Sequence, residues 1–120
     1  MRWCLATALT LLTSAPALAT DSLSCTGDTY YLDMSIGSDN IVNSATLRDE
    51  RTKVNTTFRG TEVQTKKLIW TANEGDFSAN RLELVLRTKD GQSFVVEAKG
   101  RKGVLHHQKM KHNLDCDWER

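Results

Sequence analysis

The chain has 120 residues, of which 39% are hydrophobic and 26% are charged, and its formal net charge at pH 7 is +1. This length allows one domain with its own core but not two. The near-zero charge balance argues against wholesale binding to nucleic acid or to a membrane surface. We therefore expect no nucleic-acid partner.

Residues 1–19 show the parts of a cleavable signal peptide in order. Arg2 supplies the positive start, an apolar run covers 5–12, and Ala-Leu-Ala at 17–19 places small residues at a cleavage site. The apolar run is too short to span a bilayer of roughly 30 Å. The sequence thus predicts a signal peptide over 1–19 and a single β domain over 20–120. That domain should have no transmembrane segment, and its expected location is the periplasm or outside the cell.

Two cysteines, Cys25 and Cys116, lie near the two ends of the predicted domain, whereas Cys4 belongs to the signal peptide. In an oxidising compartment this pair favours a disulfide that ties the ends together. Closing so long a loop contributes on the order of 4 kcal/mol to stability. The alternatives are two free thiols or a metal site, and companion ligands at a standard metal-binding spacing are missing.

Apolar and polar residues alternate in three stretches, 30–36, 82–86 and 94–98, which is the pattern of half-buried strands. Asp90-Gly91 lies between the last two, and this dipeptide is a strong hairpin signal. A helix over 78–87 is the main competitor, because Leu82, Val85 and Leu86 also suit helical spacing. The hairpin that follows favours a strand.

The remaining segments are predicted with less distinct patterns. Further strands are expected at 41–48, 53–59, 67–71, 104–110 and 112–116, and loops at 60–66 and 72–79. Seven or eight short strands indicate an all-β fold, either a small antiparallel meander barrel or a sandwich. A disulfide between the first and last strands would seal the seam of such a barrel.

The most asymmetric charge distribution follows Glu97, because no acidic residue occurs between it and Asp115. We call the basic side chains of this region the basic ridge, and its members are Lys99, Arg101, Lys102, His106, Lys109, Lys111 and His112. The ridge would strengthen as its histidines become protonated in mildly acidic solution. It predicts either a site for an anionic partner or a solvated hairpin whose lysines prevent strand pairing with neighbours.

Common catalytic signatures, such as a phosphate-binding glycine loop, HExxH, CxxC or GxSxG, are missing. We therefore expect a protein without enzymatic activity and without a cofactor. The adjacent histidines 106 and 107 should point to opposite faces of a strand, so at most one could join His112 at a metal. We expect no metal site. Trp70 is predicted to pack in the core or at a barrel end, and Trp118, just past Cys116, to cover the disulfide.

Cys25, Cys116 and the stretch 96–105 (Val-Glu-Ala-Lys-Gly-Arg-Lys-Gly-Val-Leu) resemble the bacterial periplasmic and membrane-bound inhibitors of chicken-type lysozyme. The resemblance implies a small antiparallel barrel with an early cysteine bonded to a late one. The family's inhibitory Ser-Gly-x-x-Tyr motif is absent here, and the nearest stretch is Ser-Ala-Asn-Arg-Leu at 78–82. No functional residue carries over from the family.

These features lead to one main hypothesis and two alternatives. The main hypothesis is an exported, non-catalytic β-barrel module that binds a protein or an anionic envelope component, for example as an inhibitor of an envelope-targeting hydrolase such as lysozyme. The first alternative is a small ligand carrier or enzyme that uses the barrel interior. The second is a structural component of the cell envelope.

Overall fold

The computed structural model describes residues 21–71 and 76–119, so the predicted signal peptide lies outside the described residues. Within these ranges the chain forms nine strands and a 3-10 turn at Gly60–Glu62. The strands are β1 (Asp21–Thr26), β2 (Tyr30–Ile36), β3 (Val42–Asp49), β4 (Val54–Arg59), β5 (Val63–Ile69), β6 (Arg81–Arg87), β7 (Ser93–Lys99), β8 (Lys102–His107) and β9 (Met110–Glu119). None of the described residues belongs to a helix long and apolar enough to cross a bilayer.

All nine strands belong to one antiparallel sheet with the order β4-β3-β2-β1-β9-β8-β7-β6-β5. Strands that follow one another in the chain pair with one another, except for β4 and β5, and the first described strand pairs with the last. The result is a nearly closed meander barrel. The predicted all-β barrel is confirmed, with nine strands rather than seven or eight.

The extra strand arises from a bend. Neighbours in the sheet are antiparallel, so β4 and β5, at the two ends of the nine-strand order, run in the same direction. Only Gly60–Glu62 separates them, and Gly60 has a φ of 59°. Residues 54–69 therefore form one bent strand that passes from β3 to β6. The Val42 N–H donates to Thr65 Oγ1 over 3.0 Å and links β3 to β5 at this bend.

The loop predicted at 60–66 was wrong for a physical reason. The polar residues Gln64 and Lys66 are exposed, whereas Val63, Thr65 and Leu68 are only partly exposed. A strand buried on one side at a barrel edge needs few apolar residues, and its sequence therefore looks like a loop. The strand predicted at 67–71 correspondingly begins earlier, at Val63, and ends before Trp70.

The period-two alternation predicted the inner face of the barrel correctly. Every second residue of β2, β6 and β7 is buried. The inward side chains of these strands are Tyr30, Leu32, Met34, Ile36, Leu82, Leu84, Leu86, Phe94, Val96 and Ala98. The hairpin at Asp90-Gly91 is also confirmed, and β6 excludes the competing helix over 78–87. These side chains form one hydrophobic core that fills the barrel.

Cys25 and Cys116 lie directly opposite each other in the β1–β9 ladder and form the predicted disulfide, with an S–S distance of 2.10 Å. A Cβ atom on Gly103 of β8 would lie 2.8 Å from Cys116 Sγ. The absence of a side chain at Gly103 therefore makes room for the bridge. The disulfide joins the first and last described strands, whereas the remaining discontinuity of the barrel lies between β4 and β5.

The turns at the two ends of the barrel differ in character. We call the end that carries the turns 27–29, 50–53, 88–92 and 108–109 the Tyr30 end. We call the opposite end, with the turns 37–41 and 100–101 and the segment 76–80, the Trp118 end. Trp118 is buried there; its Nε1–H donates to the Gly100 carbonyl over 2.7 Å, and its ring packs edge-on against Trp70.

The turn between β8 and β9 has an unfavourable backbone. It consists of only Gln108 and Lys109, whose φ angles are 52° and 65°. Positive φ at both positions is the pattern of a type I′ hairpin, which normally contains Asn and Gly. The strands predicted at 104–110 and 112–116 therefore have other bounds in the structure. Because the turn lies at 108–109, β8 ends at His107 and β9 begins at Met110.

Replacing both cysteines with alanine (Cys25→Ala, Cys116→Ala) should lower the free energy of unfolding by about 4 kcal/mol, since the bridge closes a 91-residue separation. Urea unfolding followed by tryptophan fluorescence measures this loss. After reduction of the wild-type protein, amides of β1 and β9 should lose hydrogen-exchange protection before those of the 88–92 hairpin. Simultaneous loss of protection throughout the barrel would contradict the predicted order.

Lys109→Gly should stabilise the protein by up to about 1 kcal/mol, because glycine adopts positive φ without steric cost. The expected rise in Tm is roughly 4–8 °C per kcal/mol for a domain of this size, and thermal unfolding followed by circular dichroism measures it. Lys111→Gly is the matched control. Lys111 is an exposed lysine in the extended strand β9, so glycine should destabilise the protein there. An equal effect of both changes is inconsistent with strain in the turn.

Candidate functional site

Aromatic rings cluster on the inner face at the Tyr30 end of the barrel. The His107 ring stacks on Phe94 with a centroid distance of 3.9 Å, and its Nδ1 lies 3.0 Å from the Ser93 carbonyl oxygen. Tyr30 meets Phe94 edge-on at 6.1 Å and His112 at 4.9 Å. Tyr30 and Phe94 are only 5% and 8% exposed. The rings therefore form a rigid floor at this end rather than a set of mobile side chains.

An ion pair covers one side of this floor. Arg51 Nη2 lies 3.1 Å from Asp49 Oδ2, and the guanidinium lies over the Tyr30 ring at 5.9 Å. The hydrogen bond from Arg51 holds the pKa of Asp49 below its usual range, whereas burial raises the pKa of the Tyr30 hydroxyl. Asp49 therefore stays ionised and Tyr30 neutral near pH 7. The site offers fixed polar groups beside an aromatic surface.

Above the floor lies an open depression of about 350 Å³, which we call the mouth. Its rim combines the Asp49–Arg51 pair with the amide side chains Gln92 and Gln108. Val54 borders the mouth and is 56% exposed. Met110 is 60% exposed and pairs with His107 across the β8–β9 turn. Apolar groups therefore remain accessible around the rim of this end.

The wall of the barrel is incomplete beside the mouth. Among the described residues β4 pairs only with β3, and the edge of β4 that faces away from β3 has no ladder partner. Four consecutive residues of this strand, 54–57, are exposed on both faces. A second depression of about 370 Å³ separates Thr56, Thr57 and Phe58 from the 88–92 hairpin. We call it the notch, and it shares Thr56 and Gln92 with the mouth.

The structure distributes the basic ridge over both ends of the barrel. Lys99, Arg101 and Lys102 lie around the β7–β8 turn at the Trp118 end. The other members, His106, Lys109, Lys111 and His112, lie towards the Tyr30 end. On β9, Lys111 points outwards and His112 packs inwards against Tyr30. The seven residues therefore do not share one face.

Acidic residues from neighbouring strands lie beside much of the ridge. Arg101 is 3.7 Å from Asp117, and His106 Nε2 is 3.7 Å from Glu97. Lys102 stands opposite Asp115 in the β8–β9 ladder. Strand pairing thus brings the acids that flank the ridge in the sequence next to it in space. Lys109 and Lys111 take part in no ion pair among the described residues.

The three histidines differ in their surroundings. His106 faces outwards beside Glu97, whereas His107 and His112 pack against aromatic rings of the inner face. Across residues 21–71 and 76–119, no three histidine, cysteine or acidic side chains converge as a metal site would require.

Sequence reasoning did not identify the mouth or the notch. The sequence places Tyr30, Phe94 and Val54 in strands, and the structure agrees; Asp49 ends β3 and Arg51 lies in the turn that follows. One sequence feature could have indicated the mouth: these residues lie at strand ends, and a meander brings such ends together at one end of a barrel. Comparison of the chain with protein-family models, with curated proteins and with solved structures gives no match.

Proposed function

We propose that this chain is an exported, non-catalytic binding module that binds a protein partner through the Tyr30 end of its barrel. The observation that carries the proposal is the mouth, where accessible Val54 lies beside the aromatic floor and the Arg51 ion pair, with exposed Met110 at the same end of the barrel. Methionine, arginine and aromatic residues are enriched at protein–protein interfaces. The disulfide is compatible with an oxidising compartment.

An inhibitory role towards an envelope-targeting hydrolase belongs to this proposal. The small barrel and its Cys25–Cys116 bridge are compatible with the resemblance to lysozyme inhibitors. Since the Ser-Gly-x-x-Tyr motif is absent, an inhibitor of this kind would have to contact its target with other residues. The mouth is the surface that we propose for that contact.

A carrier that uses the barrel interior receives support from one observation. Asn80 is fully buried, its Oδ1 accepts hydrogen bonds from Thr71, and its Nδ2 has no hydrogen-bond partner within 21–71 and 76–119. Against a carrier stands the filled core, because the inward side chains of the strands pack on one another along the barrel. We therefore favour a site at the end of the barrel over a site inside it.

The double variant Val54→Asp, Met110→Asp should reduce partner affinity at least tenfold, because it replaces two exposed apolar side chains at the Tyr30 end with charged ones. The protein without its signal peptide is used to capture partners from envelope extract. The captured partner is then purified, and its Kd is measured for each variant. High salt should weaken capture only in part, since apolar contacts are little affected by screening.

Two control variants separate the mouth from other surfaces. Ile41→Asp, Ile69→Asp makes the same chemical change at exposed apolar residues near the Trp118 end, where each isoleucine is 47% exposed. The second control replaces Lys99, Arg101 and Lys102 at the β7–β8 turn with glutamate. Both should bind like the wild type. Loss of affinity in either control but not in the mouth variant would show that the partner binds elsewhere.

A further inference from the structure

We propose that the free edge of β4 accepts an extended, acidic peptide segment of the partner protein as an additional strand. This inference rests on the proposed function and specifies how the partner is held. The segment would lie in the notch, pair its main chain with residues 54–58, and direct one side chain into the mouth. Strand addition to an exposed sheet edge is a common mode of peptide recognition.

The first argument is the state of the edge. An unpaired strand edge presents a row of main-chain donors and acceptors, and proteins usually protect such edges with lysine, proline or a covering segment. Between Lys53 and Arg59, β4 contains only Val54, Asn55, Thr56, Thr57 and Phe58. These neutral residues include three β-branched side chains that favour an extended partner. The segment 54–58 of β4 therefore carries no charged or proline residue that would oppose pairing, and the flanking cations Lys53 and Arg59 lie at its two ends.

The second argument is the shape of the surroundings. The notch borders β4 on its unpaired side and continues into the mouth through Thr56 and Gln92. Side chains alternate between the two faces of a strand. An added strand would therefore direct alternate side chains towards Phe94 on the inner face and towards solvent on the outer face. This arrangement selects apolar residues at alternate positions of the peptide.

The third argument is electrostatic. Each acidic side chain along the notch and the mouth already accepts hydrogen bonds within this chain. Asp49 is bound by Arg51, Glu62 by the Arg59 N–H, and Asp90 by the Thr88 hydroxyl. Only Asp49 is paired with a cation, whereas Glu62 and Asp90 accept from neutral donors, and the Thr88 hydroxyl holds the pKa of Asp90 below its usual range. Acidic residues of the segment must therefore lie beside unpaired lysines rather than beside these two carboxylates.

The cations at this end are less completely satisfied. Lys89, in the hairpin beside the notch, and Lys109, next to Gln108 on the rim, have no ion-pair partner among the described residues. Carboxylates of a bound segment would pair with these two lysines. Glu62 lies at the other end of the notch and would disfavour an acidic residue there. The charges therefore also fix the direction in which the peptide lies.

The experiment selects peptides from a phage-displayed library of random dodecapeptides on the disulfide-bonded domain. We expect enriched peptides to alternate apolar and polar residues and to contain aspartate or glutamate towards one end. Hydrogen exchange of the wild-type protein with a selected peptide should show new protection at alternate amides of 54–58. Enrichment of no peptide, or protection that omits β4, would overturn the proposal.

Variants test the edge and the charges separately. Thr56→Pro and Thr57→Pro are both made, because successive N–H groups of a strand point to opposite sides and only one of them points away from β3. The variant that retains the native circular dichroism spectrum should lose peptide binding. Lys89→Glu with Lys109→Glu should weaken binding at least tenfold. Lys99→Glu, an exposed lysine at the Trp118 end, is the matched control and should bind normally.

The outcomes distinguish this inference from the proposed function. If the captured partner depends on Val54 and Met110 but not on the β4 edge or the two lysines, the mouth binds a folded surface and strand addition is rejected. If selected peptides bind the β4 edge while the captured partner does not need the mouth, strand addition stands and the proposed partner site is rejected.

Discussion

The pairing of β1 with β9 is the constraint on which the rest of this structure depends. The seven other strand pairings join strands that are neighbours in the chain, whereas this pairing joins residues that are 91 positions apart. Bringing the two ends of an unfolded chain together costs conformational entropy. The Cys25–Cys116 disulfide removes much of this cost, because it already restricts the unfolded chain. Once these strands are joined, the meander can curl into a barrel and bury its alternating apolar side chains in a single core.

Because β1 and β9 are paired, the discontinuity of the barrel wall lies on the opposite side, between β4 and β5. There a bent strand, 54–69, has to serve both β3 and β6, and it pairs with each over only half its length. The positive φ of Gly60 and the Thr65 hydroxyl hold the bend, but β4 keeps one edge unpaired. The candidate site therefore arises from the same geometry that closes the barrel. The mouth and the notch adjoin β4, which is the half of this bent strand that has an unpaired edge.

Charge illustrates how tertiary structure changes the meaning of a sequence pattern. Along the chain, the stretch between Glu97 and Asp115 has no acid and predicts an uninterrupted basic ridge. In the sheet, Glu97 lies beside His106 and Asp117 beside Arg101, since adjacent strands bring flanking residues into contact. Among the described residues, the basic side chains at the Tyr30 end that take part in no ion pair form a smaller and more local group. Lys109 belongs to it, held in a turn whose backbone would suit glycine better.

The sequence alone determined the fold class, the cysteine pair and most of the inner face. Alternation with period two depends only on local backbone geometry, and a disulfide between the only two cysteines of the domain depends on compartment. The Asp90-Gly91 turn is likewise encoded by two adjacent residues. Tertiary structure decided the rest: the bend at Gly60, the free edge of β4, and the meeting of Tyr30, Arg51, Phe94 and His107. These features come from strands distant in the chain, and how far a sheet must curve to close is a property of all its strands together.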